Sequence, residues 1–426
     1  MRASDNVGRG TVRDIGIVGG GISGLHLGIR LLDLGVAATI YHSQTAEEVA
    51  HGRILNSVVH QHDTVLREQA MGIDFWNEGN CRLGRGHDHC LNIPGLDPIR
   101  FWGAFTGYGK GVDYRMLIPR LMADFERRGG ALVHATKAAS DLPDLQARHD
   151  LVAVGVGKTA AGFAGMFDEM PELSRHDCPK RVICSGFYNG IAPNDPFGVT
   201  LSLSPVSGEL IVLPMETFDG PTYALLFENI PGGPAAKLAE LSYDDDPAGY
   251  LDAVLGVMKE FHPHTYDRVD RSAFGLHDDM ALLQGAIRPV VRRSYAVPNP
   301  PTPVMAIGDL RVTMDPITGA GANLGSYGAW TLAERIAEHA GPFDVDFAEQ
   351  YEQAVRRRTV ATVGFNDLLL APPDYFLGLV MAMASNQSMC DEFTEGFADP
   401  EHLWFDITQD AATSAAFAAK YAGVAG

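Results

Sequence analysis

The sequence predicts an α/β protein built on a Rossmann-like dinucleotide-binding domain, with an inserted antiparallel sheet and a helical C-terminal region. Three observations predict this fold: a glycine-rich turn inside a strand–helix–strand unit, a group of alternating apolar runs in the middle of the chain, and a mostly helical pattern at its end. We expect a discontinuous nucleotide domain over residues 14–165 and 285–345, a sheet domain over 166–284 and a helical region over 346–426.

The N-terminal unit contains the glycine turn. Residues 15–18 form an apolar run suited to a buried parallel strand, and GGGISG follows directly at positions 19–24. In this GxGxxG pattern Gly19 permits the tight turn, Gly21 lets the backbone approach a pyrophosphate, and Gly24 lets the helix lie close to the sheet. The free N–H groups at the helix N-terminus favour an anion. The cofactor-binding residues expected here are Gly19, Gly21, Ile22, Ser23 and Gly24.

The second strand of this unit lacks the acidic residue that usually binds the ribose hydroxyl groups. It ends at Tyr41, His42 and Ser43, and Glu47 and Glu48 come too late to lie at the strand tip. A dinucleotide is still expected, but its ribose contact must be unusual.

Composition excludes several classes of partner. The chain has 426 residues, of which 46% are hydrophobic and 20% charged, with a formal net charge of −20. Nucleic acid and anionic membranes require basic patches, which the sequence lacks. The polar N-terminus carries no apolar signal segment and the five cysteines are scattered, so we expect a cytoplasmic protein without a disulfide framework. The apolar stretch at 375–384 is too short to span a bilayer.

The chain then leaves the nucleotide fold and returns to it. Helices are expected at residues 63–71 and 113–128, and buried strands at 131–135 and 150–155. Before them, the segment HGRILNSVVH at 51–60 carries an Arg, an Asn and two His. These residues fit either a cofactor or pocket contact or an ordinary loop-to-helix transition.

Residues 77–98 read as a loop rich in Gly, His and Asn. Cys81, His87, His89 and Cys90 lie close together in it and invite a zinc interpretation. Their spacing matches no usual ligand pattern, so we expect no metal site.

The middle of the chain changes character. Alternating runs separated by Gly, Pro and Asn predict an antiparallel sheet that supplies a wall of the substrate site. The runs lie at 181–187, 199–204, 209–214 and 222–228. Asp244, Asp245 and Asp246 then precede a helix through Phe261, and we interpret them as acids that complement a helix N-terminus rather than as metal ligands.

A second nucleotide-binding signal lies near residue 308. The strand at 303–307 ends in Gly308 and Asp309, whose carboxylate suits the hydroxyl groups of a ribityl chain. The small residues at 319–323 then open a helix over 324–340, where backbone N–H groups can reach a flat ring. Together the two signals favour FAD over NAD.

The chain resembles the FAD-dependent monooxygenases built like aromatic hydroxylases, and within them the two-component styrene monooxygenase epoxidase subunit and its indole monooxygenase relatives. The resemblance covers nearly the whole chain. The segments that carry it are IGIVGGGISGLHLG, RILNSVVH, RFWG followed by VDYR, YDDDP, LQGAIRP, GDLRVTMDPITGAGAN and, more loosely, MCDEFTEGF.

The resemblance implies roles for named residues. The glycine turn would seat the FAD pyrophosphate, Asp309 would meet the ribityl chain, and Arg53 and Asn56 would lie near the flavin. The isoalloxazine edge would lie against Gly319, Gly321, Ala322 and Asn323, and the substrate cavity would be lined by Leu55, Val58, His60 and Pro316. Asn56, Val58 and His60 are typical of styrene-type members, whereas residues 80–92 and Gly109 depart from the usual pattern.

The resemblance also implies a mechanism. Reduced FAD reacts with O2 to give a C4a-hydroperoxide, which transfers oxygen to a styrene-like alkene, indole or a sulfide, so no acid–base residue is expected. The turn after the strand at 150–155 reads GVGKT and lacks the Asp-Gly pair that many flavoprotein hydroxylases use for nicotinamide binding. Reduced FAD is therefore expected from a separate NADH-dependent reductase. The residues fix no oligomeric state, and a homodimer stays an option.

Two other functions remain open at this stage. The first is a single-component NAD(P)H-dependent aromatic hydroxylase, against which the missing Asp-Gly pair and the lack of an acid–base residue both argue. The second is a non-redox protein that uses the same fold to hold an isoprenoid or other lipid ligand. Formation of styrene oxide from reduced FAD, O2 and styrene would distinguish the epoxidase from this carrier.

Overall fold

A computed structural model describes residues 13–77, 83–157, 162–174, 180–300 and 302–422. In chain order its first part contains β1 (Asp14–Val18), α1 (Ile22–Asp33), β2 (Ala37–His42), α2 (Ala46–Ala50), β3 (Val59–His60), α3 (His62–Ala70), β4 (Gly86–Leu91), β5 (Ile99–Ala104), β6 (Lys110–Gly111), α4 (Tyr114–Arg127), β7 (Ala131–His134), α5 (Leu142–Arg148) and β8 (Leu151–Val154).

The middle part contains β9 (Val182–Asn189), β10 (Val199–Ser204), β11 (Gly208–Thr217), β12 (Gly220–Asn229), α6 (Pro247–Phe261), α7 (Pro263–Tyr266), β13 (Gly275–Leu276), β14 (Leu282–Ala286) and β15 (Val290–Val291). The last part contains β16 (Tyr295–Asn299), β17 (Thr302–Ala306), β18 (Val312–Thr313), α8 (Gly321–Glu338), α9 (Val345–Leu370), α10 (Asp374–Met383), α11 (Gln387–Glu395), α12 (Pro400–His402) and α13 (Ala411–Ala419).

The first sheet is the Rossmann-like sheet that the sequence predicts. Its six strands lie in the order β16-β17-β8-β1-β2-β7, and every neighbouring pair is parallel except β16 and β17. Ile15 and Ile17 of the central strand β1 are fully buried, because helices cover both faces of a parallel sheet. Since β17 pairs with β8, the chain returns to this sheet after the middle segment. Gly308 and Asp309, which follow β17, therefore lie beside the glycine turn at the carboxyl ends of the strands.

The second sheet contains the four middle runs as β9 to β12, in the order β13-β9-β12-β11-β10-β4-β5, with β14 also paired to β9. Alternate residues of its strands point to opposite faces. On β11, Leu210 and Val212 pack in the cluster that includes α6, whereas Ile211 and Leu213 face the cavity described below. Both faces of this sheet are therefore covered.

The prediction of a loop over residues 77–98 is wrong for part of this segment. Residues 86–91 form β4, which pairs in parallel with β10 and antiparallel with β5. Its Gly and His residues hide the strand pattern in the sequence, and the strand is stabilised by hydrogen bonds to β5, which follows it, and to the distant β10. Residues 78–82, which include Cys81, lie outside the described part of the chain.

The C-terminal region packs as helices against the second sheet. α11 is tied to β5 by the N–H of Ala104, which donates to Asp391 at 2.7 Å. Phe365, Phe393 and Leu403 are among the buried residues that join the last helices into one cluster. Across the described ranges, no helix has the length and apolar character that crossing a membrane requires.

Candidate active site

The glycine turn between β1 and α1 has the geometry that its sequence predicts. Gly19 has a φ of +111°, and a Cβ built on it would lie 2.4 Å from the carbonyl oxygen of Gly155. A Cβ on Gly24 would lie 1.9 Å from the carbonyl oxygen of Gly19. Around Gly21, in contrast, a Cβ would meet no described atom within 4 Å. The first and third glycines are thus required for packing, whereas the second faces open space.

The N-terminus of α1 is available to an anion. Gly21 is its N-cap residue and offers no side chain, and the first turn of the helix carries no acidic residue. The N–H groups of the first turn therefore combine with the positive end of the helix dipole at the open side of the glycine turn. This arrangement fits the pyrophosphate of a dinucleotide such as FAD.

His42 occupies the end of β2, where an acidic residue was missing. Its Nδ1 accepts a hydrogen bond from the N–H of Gly20 at 3.1 Å. Burial and the nearby His134 lower the pKa of His42, so the ring is neutral near pH 7. A neutral ring that accepts at Nδ1 carries its proton on Nε2 and can donate it to a hydroxyl group.

A cavity of about 780 Å³ begins at the glycine turn and continues to the second sheet. Residues 18–23, 41–44, 135–137 and 155–157 line its first part. Among the described lining residues, Lys137 is the only one with a permanently cationic side chain. The anion expected here is therefore balanced by Lys137 and the α1 N-terminus. The far part is apolar and is lined by Val58, Ile183, Leu201, Ile211, Leu213 and Leu226, among others.

The segment between β18 and α8 lines the middle of the cavity. Asp309, Pro316, Gly319, Gly321 and Ala322 all contribute to its wall. Gly319 ends a short 3-10 turn with a φ of 62°, a left-handed conformation that favours glycine. The structure thus brings the predicted residues of this segment together at one wall.

Asn323 belongs to the same segment but lies behind it. Its Nδ2 donates to the carbonyl oxygens of Val59 at 2.9 Å and Gly319 at 2.8 Å, and its Oδ1 accepts the N–H of Gln61 at 2.9 Å. Asn323 does not line the cavity. It joins the start of α8 to β3, so its observed contacts are those of a positioning residue.

Of the five site residues expected in the segment at 51–60, three line the cavity. Leu55, Asn56 and Val58 line the cavity, and Asn56 Oδ1 accepts the N–H of Val58 at 3.3 Å. Arg53 does not line it, because its guanidinium donates to the carbonyl oxygen of Leu282 at 3.0 Å. Arg53 therefore fixes this segment to β14.

His60 lies behind the wall rather than in it, contrary to the expectation that it lines the substrate cavity. Its Nδ1 is 2.5 Å from Glu68 Oε1, and its Nε2 is 2.7 Å from the hydroxyl group of Tyr114. Tyr114 does line the cavity. The histidine can therefore influence the cavity through Tyr114.

Glu68 is the centre of a buried ionic network. It is 1% exposed and pairs with Lys110 at 2.6 Å, and Lys110 pairs with Asp74 at 2.8 Å. Burial raises the pKa of Glu68, but His60, Lys110 and His26 together outweigh this effect and hold the pKa at about 2. Burial lowers the pKa of His26 to about 3, so His26 is neutral near pH 7.

The possible zinc ligands of β4 point in different directions. His87 lines the cavity and His89 stacks on Phe101, whereas Cys90 lies near Asp88 on the opposite face of the strand. These three residues therefore do not converge on one point. Asp88, Cys90 and His264 do lie together, but Asp88 already pairs with Arg100 through both of its oxygens.

Several polar residues of the cavity wall were not predicted from the sequence, among them His87, Tyr114 and Asp315. His87 and Tyr114 both line it: Tyr114 stands in VDYR, one of the segments that carry the family resemblance, whereas His87 belongs to none of them. Burial lowers the pKa of His87 to about 3, so this ring is neutral. Asp315 also lines the wall and stands inside the segment GDLRVTMDPITGAGAN, directly before Pro316. Its position in that segment was the available signal.

Comparison with known proteins identifies relatives of this chain. Residues 157–268 match the family model described as "Styrene monooxygenase A putative substrate binding domain". The chain is 36% identical over 396 residues to a protein named styrene monooxygenase StyA from a Pseudomonas species, covering 92% of this chain and 94% of that protein. It is 35% identical over 396 residues, with the same coverage of both chains, to styrene monooxygenase StyA of Pseudomonas fluorescens.

A solved structure with the same fold is that of the flavin-dependent brominase Bmp2. The match has a TM-score of 0.67 at 14% sequence identity and covers 97% of this chain and 98% of the brominase. At this identity the likeness concerns the fold alone.

Proposed function

Because the chain belongs to the styrene monooxygenase family, we propose that it is the epoxidase component of a two-component, FAD-dependent monooxygenase. It uses reduced FAD and O2 to convert a styrene-like alkene to its epoxide. The observation that carries this proposal is a continuous cavity that joins a dinucleotide-type glycine turn to an apolar chamber under the second sheet. A cofactor that performs the oxidation and an apolar substrate can therefore occupy one continuous space.

The described residues fit FAD. The α1 N-terminus and Lys137 would neutralise its pyrophosphate, and Asp309 would accept hydrogen bonds from its ribityl hydroxyl groups. Gly319, Gly321 and Ala322 would allow the flat ring to approach the backbone at the start of α8. His42 would donate from Nε2 to a ribose hydroxyl in place of the missing acid.

Bound reduced FAD supplies the activation of O2 and the transfer of one oxygen atom. The protein positions the alkene and excludes water. The far part of the wall is lined largely by apolar side chains, so it favours an aromatic alkene and disfavours water. Leu55, Asn56, Val58 and Pro316 stay our proposal for substrate and flavin contacts, with Arg53, His60 and Asn323 acting from behind the wall.

We propose that the reductant is a separate NADH-dependent flavin reductase. The turn after β8 begins with Gly155, Val156 and Gly157, and no acidic residue is among these described positions. Lys158 and Thr159, which complete the turn, lie outside the described part of the chain. The absence of an Asp-Gly pair in this sequence supports delivery of FAD in its reduced form.

The test supplies the purified chain with chemically reduced FAD, O2 and styrene, and measures styrene oxide. Epoxide formation without NADH is expected, together with negligible NADH oxidation by the chain and FAD alone. Leu201→Phe narrows the apolar chamber and should lower epoxide yield, whereas Leu377→Phe, at a side chain 47% exposed on α10, is the matched control. Catalytic NADH oxidation by the isolated chain, or absence of epoxide, would contradict the proposal.

A further inference from the structure

Two buried carboxyl groups meet at the cavity wall, directly before Pro316. Asp315 is 1% exposed and lines the cavity, and Glu228 on β12 is fully buried behind it. Asp315 Oδ1 accepts the N–H of Ile317 at 3.3 Å. Apart from the two carboxyl groups themselves, no group in the described ranges is hydrogen-bonded to Asp315 Oδ2 or to either oxygen of Glu228. The two carboxyl groups instead interact with each other.

The charged groups that face this pair do not neutralise it. The charge of Arg181 acts on both carboxyl groups, but Arg181 donates to both oxygens of Glu209, at 2.7 and 2.9 Å. Arg181 therefore already has its own counter-anion. Glu209 adds a further negative charge, which disfavours ionisation of both Asp315 and Glu228. Two like charges cannot both form in such a buried place without a large cost, so the pair keeps at least one proton.

The proton resides mainly on Glu228. Burial and the charge of Asp315 raise the pKa of Glu228 well above its usual range, so Glu228 keeps its proton and is the donor in the hydrogen bond to Asp315. Burial also raises the pKa of Asp315, to about 6, although the hydrogen bond from Glu228 works in the opposite direction. Asp315 is thus the member that exchanges a proton near neutral pH, and it is the member that reaches the cavity.

The proposed reaction consumes one proton in each turnover when the flavin enters as the reduced anion. The balance is FADH⁻ + O2 + H⁺ + alkene → FAD + epoxide + H2O. Two electrons from the flavin and two from the alkene reduce O2; one oxygen atom forms two C–O bonds in the epoxide, and the other leaves as water. An apolar chamber that excludes water needs another source for this proton.

We propose that Asp315 is the proton donor of this reaction and that Glu228, which stays protonated, is the positioning residue that keeps Asp315 able to hold a proton. This inference rests on the proposed function. It departs from the expectation that the site has no acid–base residue. A purely structural carboxyl pair would not need to exchange protons with the cavity, whereas the proposed proton donor Asp315 must do so.

The first test uses the protein without cofactor. Infrared difference spectra between pH 5 and pH 8 should show the C=O band of one buried carboxylic acid disappearing as the pH rises, with a midpoint near 6, while a second band persists. Asp315→Asn should remove the titrating band, and Glu228→Gln the persistent one. The asparagine amide oxygen can still accept the Ile317 N–H, so the 3-10 turn should stay intact.

The second test measures single-turnover epoxide formation and H2O2 release with reduced FAD, O2 and styrene. Asp315→Asn should slow epoxide formation on the order of 10²-fold, the usual contribution of a general acid, and should flatten its pH profile. Glu228→Gln should stay within a few-fold of wild type, because an amide N–H replaces the hydroxyl donor. Glu352→Gln, at a buried carboxylate that accepts the Ser294 N–H away from the cavity, is the control.

Several results would overturn the inference. One is a titrating band that survives Asp315→Asn; another is an unchanged pH profile in this variant. Equal damage by Glu228→Gln and Asp315→Asn would contradict the division of roles between the two carboxyl groups. If the wild-type chain forms no epoxide, the proposed function fails, whereas the infrared spectra still decide whether Asp315 exchanges a proton.

Discussion

Glu68→Gln tests how much the buried network behind the cavity contributes to stability. The pKa of Glu68 falls from 4.5 to about 2 in the folded chain, because His60, Lys110 and His26 outweigh the effect of burial. At about 1.4 kcal/mol per pH unit, this difference corresponds to about 3 kcal/mol. Removal of one partner from a buried ion pair costs about 3–5 kcal/mol. Lys110 keeps Asp74 at 2.8 Å, so we expect the lower figure.

Thermal unfolding of the cofactor-free protein measures this effect. With an unfolding entropy of about 2.1 cal/mol/K per residue, a loss of about 3 kcal/mol lowers Tm by about 3 °C in a chain of 426 residues. The folded pKa of Glu68 is depressed, so its contribution is present above pH 4.5 and is lost as the pH falls toward 2. The difference between wild type and variant should therefore narrow below pH 4.5.

The matched control is Glu126→Gln, at an exposed position of α4. It should change Tm by less than about 1 °C, as surface substitutions usually do. A Glu68→Gln protein that melts within 1 °C of wild type at pH 7 would refute the reasoning, because it would mean that the buried carboxylate gains nothing from its neighbours.

Three other predictions concern the cofactor and the cavity. Gly24→Ala places a Cβ 1.9 Å from the carbonyl oxygen of Gly19. The affinity for FAD, measured by fluorescence, should therefore fall at least about tenfold. An unchanged affinity would contradict the packing role of Gly24. His42→Asp restores the ribose acid, so oxidised FAD should bind up to about tenfold more tightly, and a weaker complex would show that the histidine itself is needed. Asn56→Ala should lower the epoxide yield per reduced flavin more than Arg53→Ala does, because of these two residues only Asn56 lines the cavity. Circular dichroism should show that both variants are folded. Equal epoxide yields in the two variants would contradict the different roles given to Asn56 and Arg53.

Local patterns allowed most of the fold to be predicted. The glycine turn, α1, β2 and α4 each follow from periodicity and caps that lie within a few residues of one another. Asp246, for example, accepts the N–H of Gly249 at 2.9 Å and caps α6, as its place before an apolar run predicts. The alternating runs of the middle segment likewise predicted four strands of the second sheet.

What the sequence could not predict depends on contacts between distant segments. β4 is stabilised by its pairing with the distant β10, and His60 leaves the cavity wall because Glu68 and Tyr114 both bind its ring. The pairing of Glu228 with Asp315 has no local signal either, since the two residues come together only when β12 packs beside the segment after β18. Such contacts determine protonation states, which therefore cannot be predicted from local sequence patterns.

Two buried acids near one cavity reach opposite states because their neighbours differ. Glu68 pairs with Lys110 and His60, so the pKa is held at about 2 and the carboxylate stays ionised behind the wall. Glu228 faces another carboxyl group, while the nearby Arg181 is already paired with Glu209. The cation of Lys110 therefore faces the acid that holds the His60 ring in place, whereas no uncommitted cation among the described residues faces the acid pair that reaches the cavity. The distribution of positive charge thus keeps Glu68 ionised and allows the Asp315–Glu228 pair to bind and release a proton.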